Sequence, residues 1–364
     1  MARTKPSHPG VMHGKEGSLG DHLRRLVGEA PVDQPLPTTR ELGDRFGTAN
    51  TTVFRVLRTM AAAGEIWQHP TNGRYYPPGA RALLDRPKPV ACLFRRLELA
   101  SELYRELLEG ISTGTGERQR TMLLWHDERL VNHPDPHEPP VFASTLQQRA
   151  ILNEFLDRHG EAAGGFVIDH IWNDDALRSH VGRLQPAVVL FRSCALDGIG
   201  NVAVDFLAGA LKALAHLLGR GFDHIVFVEP FANDPAVTEF STALARAAEE
   251  LGCGERLSSH SAGTPRERKD LIERLRRSPR RNALLCPEDN IAVLLVEAAR
   301  EASLRCPEQL GVLSVMGTDF AASAGLSCLR YNFRELGRLA VEALSSERIV
   351  RHVLPPQFVS GGTT

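Results

Sequence analysis

From residue 89 onward, short apolar stretches alternate with helical patterns, and this alternation constrains the fold more than any other feature of the chain. PVACLFRR, TMLLWHD, GGFVIDH, PAVVLFR, NVAVD, HIVFVEP, NALLCPED and LGVLSVMG mark the stretches. Nearly continuous apolar runs of this length suit strands buried on both faces. Strands of that kind alternating with helices build parallel sheets covered by helical layers. The predicted fold class of this body is therefore α/β. Roughly 275 residues is long for a single core, so two lobes are expected rather than one.

Residues 18–78 are patterned differently. LGDHLRRLVGEA sets Leu19, Leu23 and Leu26 on one side of a short helix. After the turn-rich PVDQPLP, Thr38 and Glu41 have the spacing of a capping box. The helix they open is expected to bury Leu42 and Phe46 and to stop at Gly47. A third helix is predicted from about Ala49 to Ala63, and EIWQHPTNGRYYPP then reads as a hairpin turning at Asn72-Gly73. Three helices and a hairpin make a winged helix-turn-helix. Residues 1–17 are expected to be a disordered lead-in, and the proline-marked residues 79–88 a linker.

On the third helix, at about 100° per residue, Val53, Val56, Leu57 and Met60 share the arc that faces the other helices. The opposite arc carries Thr51, Arg55 and Arg58, with Thr52 beside them. Hydroxyls and backbone N–H groups at a helix N-terminus hold phosphate, arginine takes guanine edges, and asparagine, here Asn50, takes adenine edges. An ordinary solvated helix face has the same composition, so the face alone leaves both readings open. Two neighbours favour DNA. Arg40 sits in the first turn of the second helix, where the helix dipole favours an acid and a cation makes sense beside a phosphate. Arg74 follows the hairpin tip, where it can reach a flanking groove.

The net charge of −1 means that contact with nucleic acid has to come from such a local patch. No apolar run approaches the length of a bilayer span, and the N-terminus lacks the pattern of a secretion signal, so no membrane partner is expected. Cys92, Cys194, Cys253, Cys286, Cys306 and Cys328 are scattered without a Cys-x-x-Cys pair, which suits free buried thiols in a reducing cytoplasm. His133, Asp135 and His137 lie in the proline-rich NHPDPHEPP, which reads as a solvated loop rather than a ligand set. No metal and no cofactor is expected. Gly-x-Gly-x-x-Gly after a strand, a P-loop and Gly-x-Ser-x-Gly are all missing, and no histidine is near Cys286 in sequence. Lys88, Lys212 and Lys269 are the only lysines from residue 80 on, which disfavours Schiff-base chemistry. The chain does not read as an enzyme, and no catalytic residues are assigned.

LPTTRELGDRFGTANTTVFRVLRTMAAAGEI, continued by NGRYY, resembles the GntR-type winged helix over about 60 residues. By that resemblance Arg40, Thr51, Thr52 and Arg55 occupy DNA-contacting positions. The chain departs from the family at Asn50 and Phe54, where basic residues are usual, and at the wing tip Thr71-Asn72-Gly73, so its operator need not be a typical one. NVAVDFLAGALKALAHLLGRGFDHIVFVEP, LLCPEDNIAVLLVEAAREASLRCPEQLGVLSVMGTDFAASAG and LRYNFRELGRLAVEALSS followed by VLPPQFV resemble the LacI/GalR-type body, itself similar to periplasmic sugar-binding proteins. This second resemblance covers roughly residues 89–360 and is strongest from Asn201 onward. It implies a lobe 1 of about 89–196 and 331–354, a lobe 2 of about 203–328, a C-terminal crossing strand, and a ligand between the lobes.

Loops after parallel strands collect at one sheet edge, where such folds bind ligands. There lie Arg95 and Glu98; Asp169, His170 and Trp172; Arg192; Asp205; Glu229, Phe231 and Asn233; Asp289; and Thr318 with Asp319. Carboxylates suit hydroxyl-rich molecules and aromatic rings suit sugar faces, and by resemblance Asp205, Asp289 and Asp319 fall in or near the effector site. The candidate effector residues are thus Arg95, Asp169, Trp172, Arg192, Asp205, Glu229, Asp289 and Asp319. Asp205 and Asp289 have an alternative as helix caps, Arg192 as an interlobe ion-pair member, and Trp172, like Trp125, as core. The two resemblances together imply a homodimeric transcriptional regulator, a repressor released from double-stranded operator DNA by a sugar or related polyol. A phosphorylated or non-sugar effector, or a body that serves only as a dimerisation scaffold, is the alternative.

Overall fold

The computed structural model describes residues 13–84, 87–95, 101–132, 140–229 and 234–364. Glu98, Phe231, Asn233, His133, Asp135 and His137 lie outside them. The described chain divides into two compact units, 1–87 and 88–364.

The first unit contains α1 (His13–Glu29), α2 (Thr39–Phe46), α3 (Asn50–Ala62), the antiparallel pair β1 (Trp67–Gln68) and β2 (Tyr75–Tyr76), and α4 (Ala80–Leu84). The capping box forms as its spacing predicts: Glu41 N–H donates to the Thr38 hydroxyl, while the Glu41 carboxylate accepts from Thr38 N–H at 2.7 Å. Gly47 closes α2 at φ 61°, a left-handed conformation that a side chain disfavours. Leu19, Leu23, Leu42, Val53, Leu57 and Met60 are buried together, with Ile66 and Tyr75 of the hairpin region completing the core. Two boundaries differ from the sequence reading. Helix α1 already starts at His13, within the stretch expected to be a lead-in, and the expected linker holds the short helix α4.

In the second unit, the first lobe is built from β3 (Val90–Phe94), α5 (Glu102–Glu117), β4 (Met122–His126), the small pair β5 (Val131–Asn132) and β6 (Val141–Phe142), α6 (Thr145–His159), β7 (Phe166–Ile168), α7 (Asp174–Arg178), β8 (Ala187–Phe191) and β9 (Ile199–Val204). The second lobe follows with α8 (Phe206–Gly219), β10 (His224–Glu229), α9 (Pro235–Glu250), β11 (Leu257–Ser261), α10 (Pro265–Arg276), β12 (Asn282–Cys286), α11 (Asp289–Glu301), β13 (Leu310–Gly317), α12 (Asp319–Ser323) and β14 (Ser327–Arg330). The chain then returns to the first lobe with α13 (Phe333–Ala343) and β15 (Arg351–Leu354), and to the second with β16 (Gln357–Val359).

Each lobe carries a six-stranded sheet. The orders are β15-β9-β8-β7-β3-β4 and β11-β10-β12-β13-β14-β16, and every pairing is parallel except β14 with β16. The interior strands β3, β8, β9 and β12 are buried along their whole length, which is why they read as continuous apolar runs. The chain passes between the lobes three times: after β9, between β14 and α13, and between β15 and β16. The first passage lies later than expected, because β9 pairs wholly within the lobe-1 sheet and the boundary falls at Asp205 rather than near residue 196. Helices α5 and α13 pack closely on lobe 1 at Gly110, Gly114 and Gly337. A core containing Phe94, Ile111 and Leu336 from lobe 1 is continuous with Phe227, Leu285 and Val315 from lobe 2.

Candidate functional site

In the first unit, α3 buries Val53, Leu57 and Met60 and exposes Thr51, Arg55 and Arg58. Arg40 is exposed at the start of α2 and Arg74 is exposed on the hairpin. Glu41 is held below the ordinary carboxylate range by the Thr38 N–H and hydroxyl, with the Arg74 charge adding to them. Arg58 lies within electrostatic reach of Tyr75 on β2. These cations border an α3 whose first turn contains no acid. The Asn50 amide oxygen sits against Gly43, in space left by the missing Cβ, so that atom is turned toward α2 rather than outward.

In the second unit, a cavity of about 470 Å³ lies between the lobes, at the carboxyl ends of both sheets. Lobe 1 contributes Arg95 after β3, Tyr104 from the first turn of α5, His170 and Trp172 after β7, and Phe191 at the end of β8. Lobe 2 contributes Phe206, Asp234, Val237, Phe240, Glu288, Asp289, Asn290, Thr318 and Phe320. Two lining residues have left-handed backbones without being glycine, His170 at φ 55° and Phe191 at φ 66°. Each such conformation costs on the order of 1 kcal/mol or more, and strain of this kind clusters where a side chain must point into a site.

A hydrogen-bonded chain stiffens the lobe-1 wall. Arg95 Nε donates to the Tyr104 hydroxyl at 2.8 Å, Tyr104 donates to Asp169 Oδ2 at 2.8 Å, and His170 Nδ1 lies 2.6 Å from Asp169 Oδ1. Burial works to raise the Asp169 carboxyl, but His170, Arg95 and the Tyr104 hydroxyl together hold it below its ordinary value. Asp169 is completely buried, so it orients the lining groups and does not itself line the cavity.

Of the eight effector residues expected from sequence, Arg95, Trp172 and Asp289 line the cavity, and the other five are not among its described lining. Asp169 is used as just described. Arg192 is buried, with Nε donating to Ile171 O and Nη1 to Asp174 Oδ1 at 2.7 Å; its ion pair is internal to lobe 1 rather than between lobes. Asp205 caps α8 by accepting from Ala208 N–H at 2.8 Å. Glu229 ends β10 outside the lining. Asp319 pairs with Arg330, which also reaches Glu106 of lobe 1 at 3.1 Å, so it belongs to an ion cluster linking the lobes. Asp289 does not cap α11; its carboxylate accepts from the Ser314 hydroxyl and from Thr318 N–H and Oγ1.

Among the lining residues missed by sequence reasoning are Tyr104, Phe206, Phe240, Asp234 and Glu288. Asp234-Pro235 was legible as a helix start, and Glu288 stands beside Asp289 at a strand end. The aromatic residues lie on helices and read as core.

Burial raises the Glu288 carboxyl above the ordinary range, Asp234 and Asp289 push it further in the same direction, and Arg95 across the cleft opposes them. The folded protein therefore binds more protons at Glu288 than the unfolded chain between about pH 4.5 and the raised value, and this group's contribution to stability falls as pH rises through that window. A ligand whose hydroxyls donate to the Glu288 carboxylate favours the deprotonated form. Its affinity is expected to rise with pH through the same window, with a proton released on binding. Calorimetry in buffers of different ionisation heat measures that release, and Glu288→Gln should abolish it. Proton uptake on binding would contradict the assignment.

The pattern of a periplasmic binding protein-like domain matches residues 214–364. The HTH-type transcriptional repressor MelR of Bacillus subtilis is 21% identical over 299 residues, covering 72% of this chain and 85% of that protein. The HTH-type transcriptional regulator AscG of Escherichia coli is 28% identical over 305 residues, covering 79% and 84%. Among solved structures, a LacI family transcriptional regulator from Enterococcus faecium with bound ribose superposes with a TM-score of 0.59 at 18% identity, covering 75% of this chain and 98% of that one. At that identity the likeness is one of fold: the body is a two-lobed α/β structure of the periplasmic-binding-protein kind.

Proposed function

We propose that this chain is a ligand-responsive, DNA-binding transcriptional regulator, a repressor that a sugar or related polyol releases from its operator. The observation that carries the reading is the joining, in one chain, of a helix-turn-helix with a cation- and hydroxyl-bearing α3 face to a two-lobed body with an interlobe cavity. The regulators MelR and AscG, matched over most of their lengths, support it, as does the ribose held by the structurally similar regulator. The effector acts through its different affinities for the DNA-competent and incompetent states. The carboxylates Asp234 and Glu288 in the lining favour a hydroxylated, uncharged ligand over a phosphorylated one.

The head is proposed to be of the winged, GntR-like type. The hairpin β1–β2 after α3 and the Thr38–Glu41 box before the helix pair support that assignment. Arg40, Thr51, Thr52, Arg55, Arg58 and Arg74 are its proposed DNA contacts, and Asn50 shapes the turn between α2 and α3. A homodimer on a two-fold operator fits the need for two half-sites. Exposed Leu124 on the edge strand β4, together with exposed Val141 and Leu146, offers apolar surface for it. No helix among the described residues is long and apolar enough to cross a membrane, and a DNA-reading protein of this kind works in the cytoplasm.

If Arg55 reads a base edge, Arg55→Ala should cost about 1–3 kcal/mol of operator binding and relax preference at one position of each half-site. Arg40→Ala should instead weaken all sequences alike and lower the salt slope. Fluorescence titrations on operator and random DNA, with sedimentation giving two chains per operator, test both roles. Equal losses on the two DNAs for both variants would remove the base-reading role from Arg55.

A further inference from the structure

The chemistry of the cavity is divided. Arg95, Asp234, Glu288 and Asn290 supply charge and hydrogen bonds, whereas Phe191, Phe206, Phe240 and Val237 offer only hydrocarbon. Phe206 and Phe240 meet edge-to-face with ring centroids 5.8 Å apart, and both belong to the same buried cluster as Phe191 and Val237. Phe191 comes from lobe 1 and Phe240 from lobe 2, so closure of the lobes brings apolar surface from both sides onto whatever lies between them.

A simple monosaccharide fits half of this lining. Its hydroxyl rim suits the carboxylates and Arg95, and one ring face suits one aromatic side chain. Any hydroxyl turned to the Phe191–Phe206–Phe240 wall would be desolvated without a partner, at a cost of about 1–3 kcal/mol. We infer that the effector is an aryl glycoside: a polyhydroxylated ring held by Glu288, Asp234 and Arg95, bearing an aromatic group that packs on Phe206 and Phe240. A nucleobase packed on Phe206 and Phe240 is a poorer occupant, because edge donors and acceptors turned to those rings would meet side chains that cannot hydrogen-bond. The inference rests on the proposal that the cleft senses a polyol, and it specifies which kind.

Calorimetry on the full chain tests it, using the methyl and phenyl glycosides of glucose and galactose, in both anomers, with adenosine as a further arm. For at least one sugar the phenyl glycoside should bind about tenfold or more tighter than its methyl counterpart, the gain expected from burying one aromatic ring. Phe240→Leu, which keeps the site apolar, should reduce that ratio at least threefold. Phe206→Leu provides the same readout should the first variant fold poorly, and the ligand series on the parent protein needs no variant. Methyl and phenyl glycosides that bind alike would overturn the aryl inference and leave polyol sensing intact. Binding of adenosine with no glycoside bound would overturn it in favour of a nucleoside. An unchanged phenyl preference in both variants would overturn the placement of the ring on this wall. No binding by any arm would overturn the sensing proposal as well.

Discussion

Replacing Gly110 by alanine is expected to lower the stability of the body by at least about 3 kcal/mol, at or beyond the upper end of what overpacking usually costs. A Cβ at this position would overlap the Arg334 carbonyl oxygen and fall 2.8 Å from its carbonyl carbon and 3.0 Å from its Cα. Those are backbone atoms of α13 and cannot rotate aside. Helix α13 would have to move off α5, opening a core that includes Leu107, Ile111, Phe333 and Leu336. The same helix contains its own controls. At Gly114 the added Cβ would meet Val341 Cβ at 3.0 Å and the Arg338 carbonyl oxygen at 3.3 Å, longer contacts than those at Gly110, and an intermediate cost is expected. At Gly116 nothing lies within 4 Å, and alanine should be neutral or stabilising by up to about 1 kcal/mol. Urea unfolding of the three variants reads the series directly. If the alanine variants at 110 and 116 unfold alike, the helices do not pack as closely as described.

Asp289→Ala is expected to remove about 3 kcal/mol of stability and to weaken the proposed effector site at the same time. The carboxylate is 6% exposed and accepts from three donors: the Ser314 hydroxyl, Thr318 N–H at 2.9 Å and Thr318 Oγ1 at 2.8 Å. Ser314 is completely buried, so alanine leaves its hydroxyl and the Thr318 amide without acceptors, at about 1–3 kcal/mol for each group. Because Thr318 lines the cavity and opens α12, freeing it loosens one wall of the site. Hydrogen exchange should show lost protection at the Thr318 amide and at the end of β13 before any ligand is added. That readout separates a positioning role from direct ligand contact. Unchanged protection and unchanged melting would show that the carboxylate supports neither.

The architecture was legible where burial on both faces leaves a sequence no freedom. The stretches VACLF, AVVLF and NALLC could only be interior strands, and they are. Strand β11 escaped notice because it is an edge strand of sequence LSSHS with alternate residues exposed, and the helix α10 behind it was missed with it. The site was legible only as a neighbourhood. Sequence places a carboxylate at a strand end but not the partner that claims it. Asp205 is taken by the Ala208 amide of α8, Asp289 by Ser314 and Thr318, Asp319 by Arg330, and Asp169 by Tyr104 and His170. Conversely, Tyr104, Phe206 and Phe240 occupy the apolar faces of helices, and only the interlobe space distinguishes them from ordinary core residues.

The three passages between the lobes bear on how the protein is made. Lobe 2 has all but its last strand in one continuous run, from α8 to β14. Lobe 1 instead waits for α13, which covers α5, and for β15, which pairs with β9. Those elements leave the ribosome roughly 130 residues after β9, on the order of ten seconds later at about 5–20 residues per second. During that interval β9 has an unpaired edge, and the helix surface around Gly110 is bare. The lobe translated first is thus completed after the lobe translated second, and the nascent chain has most need of chaperone cover on its N-terminal side.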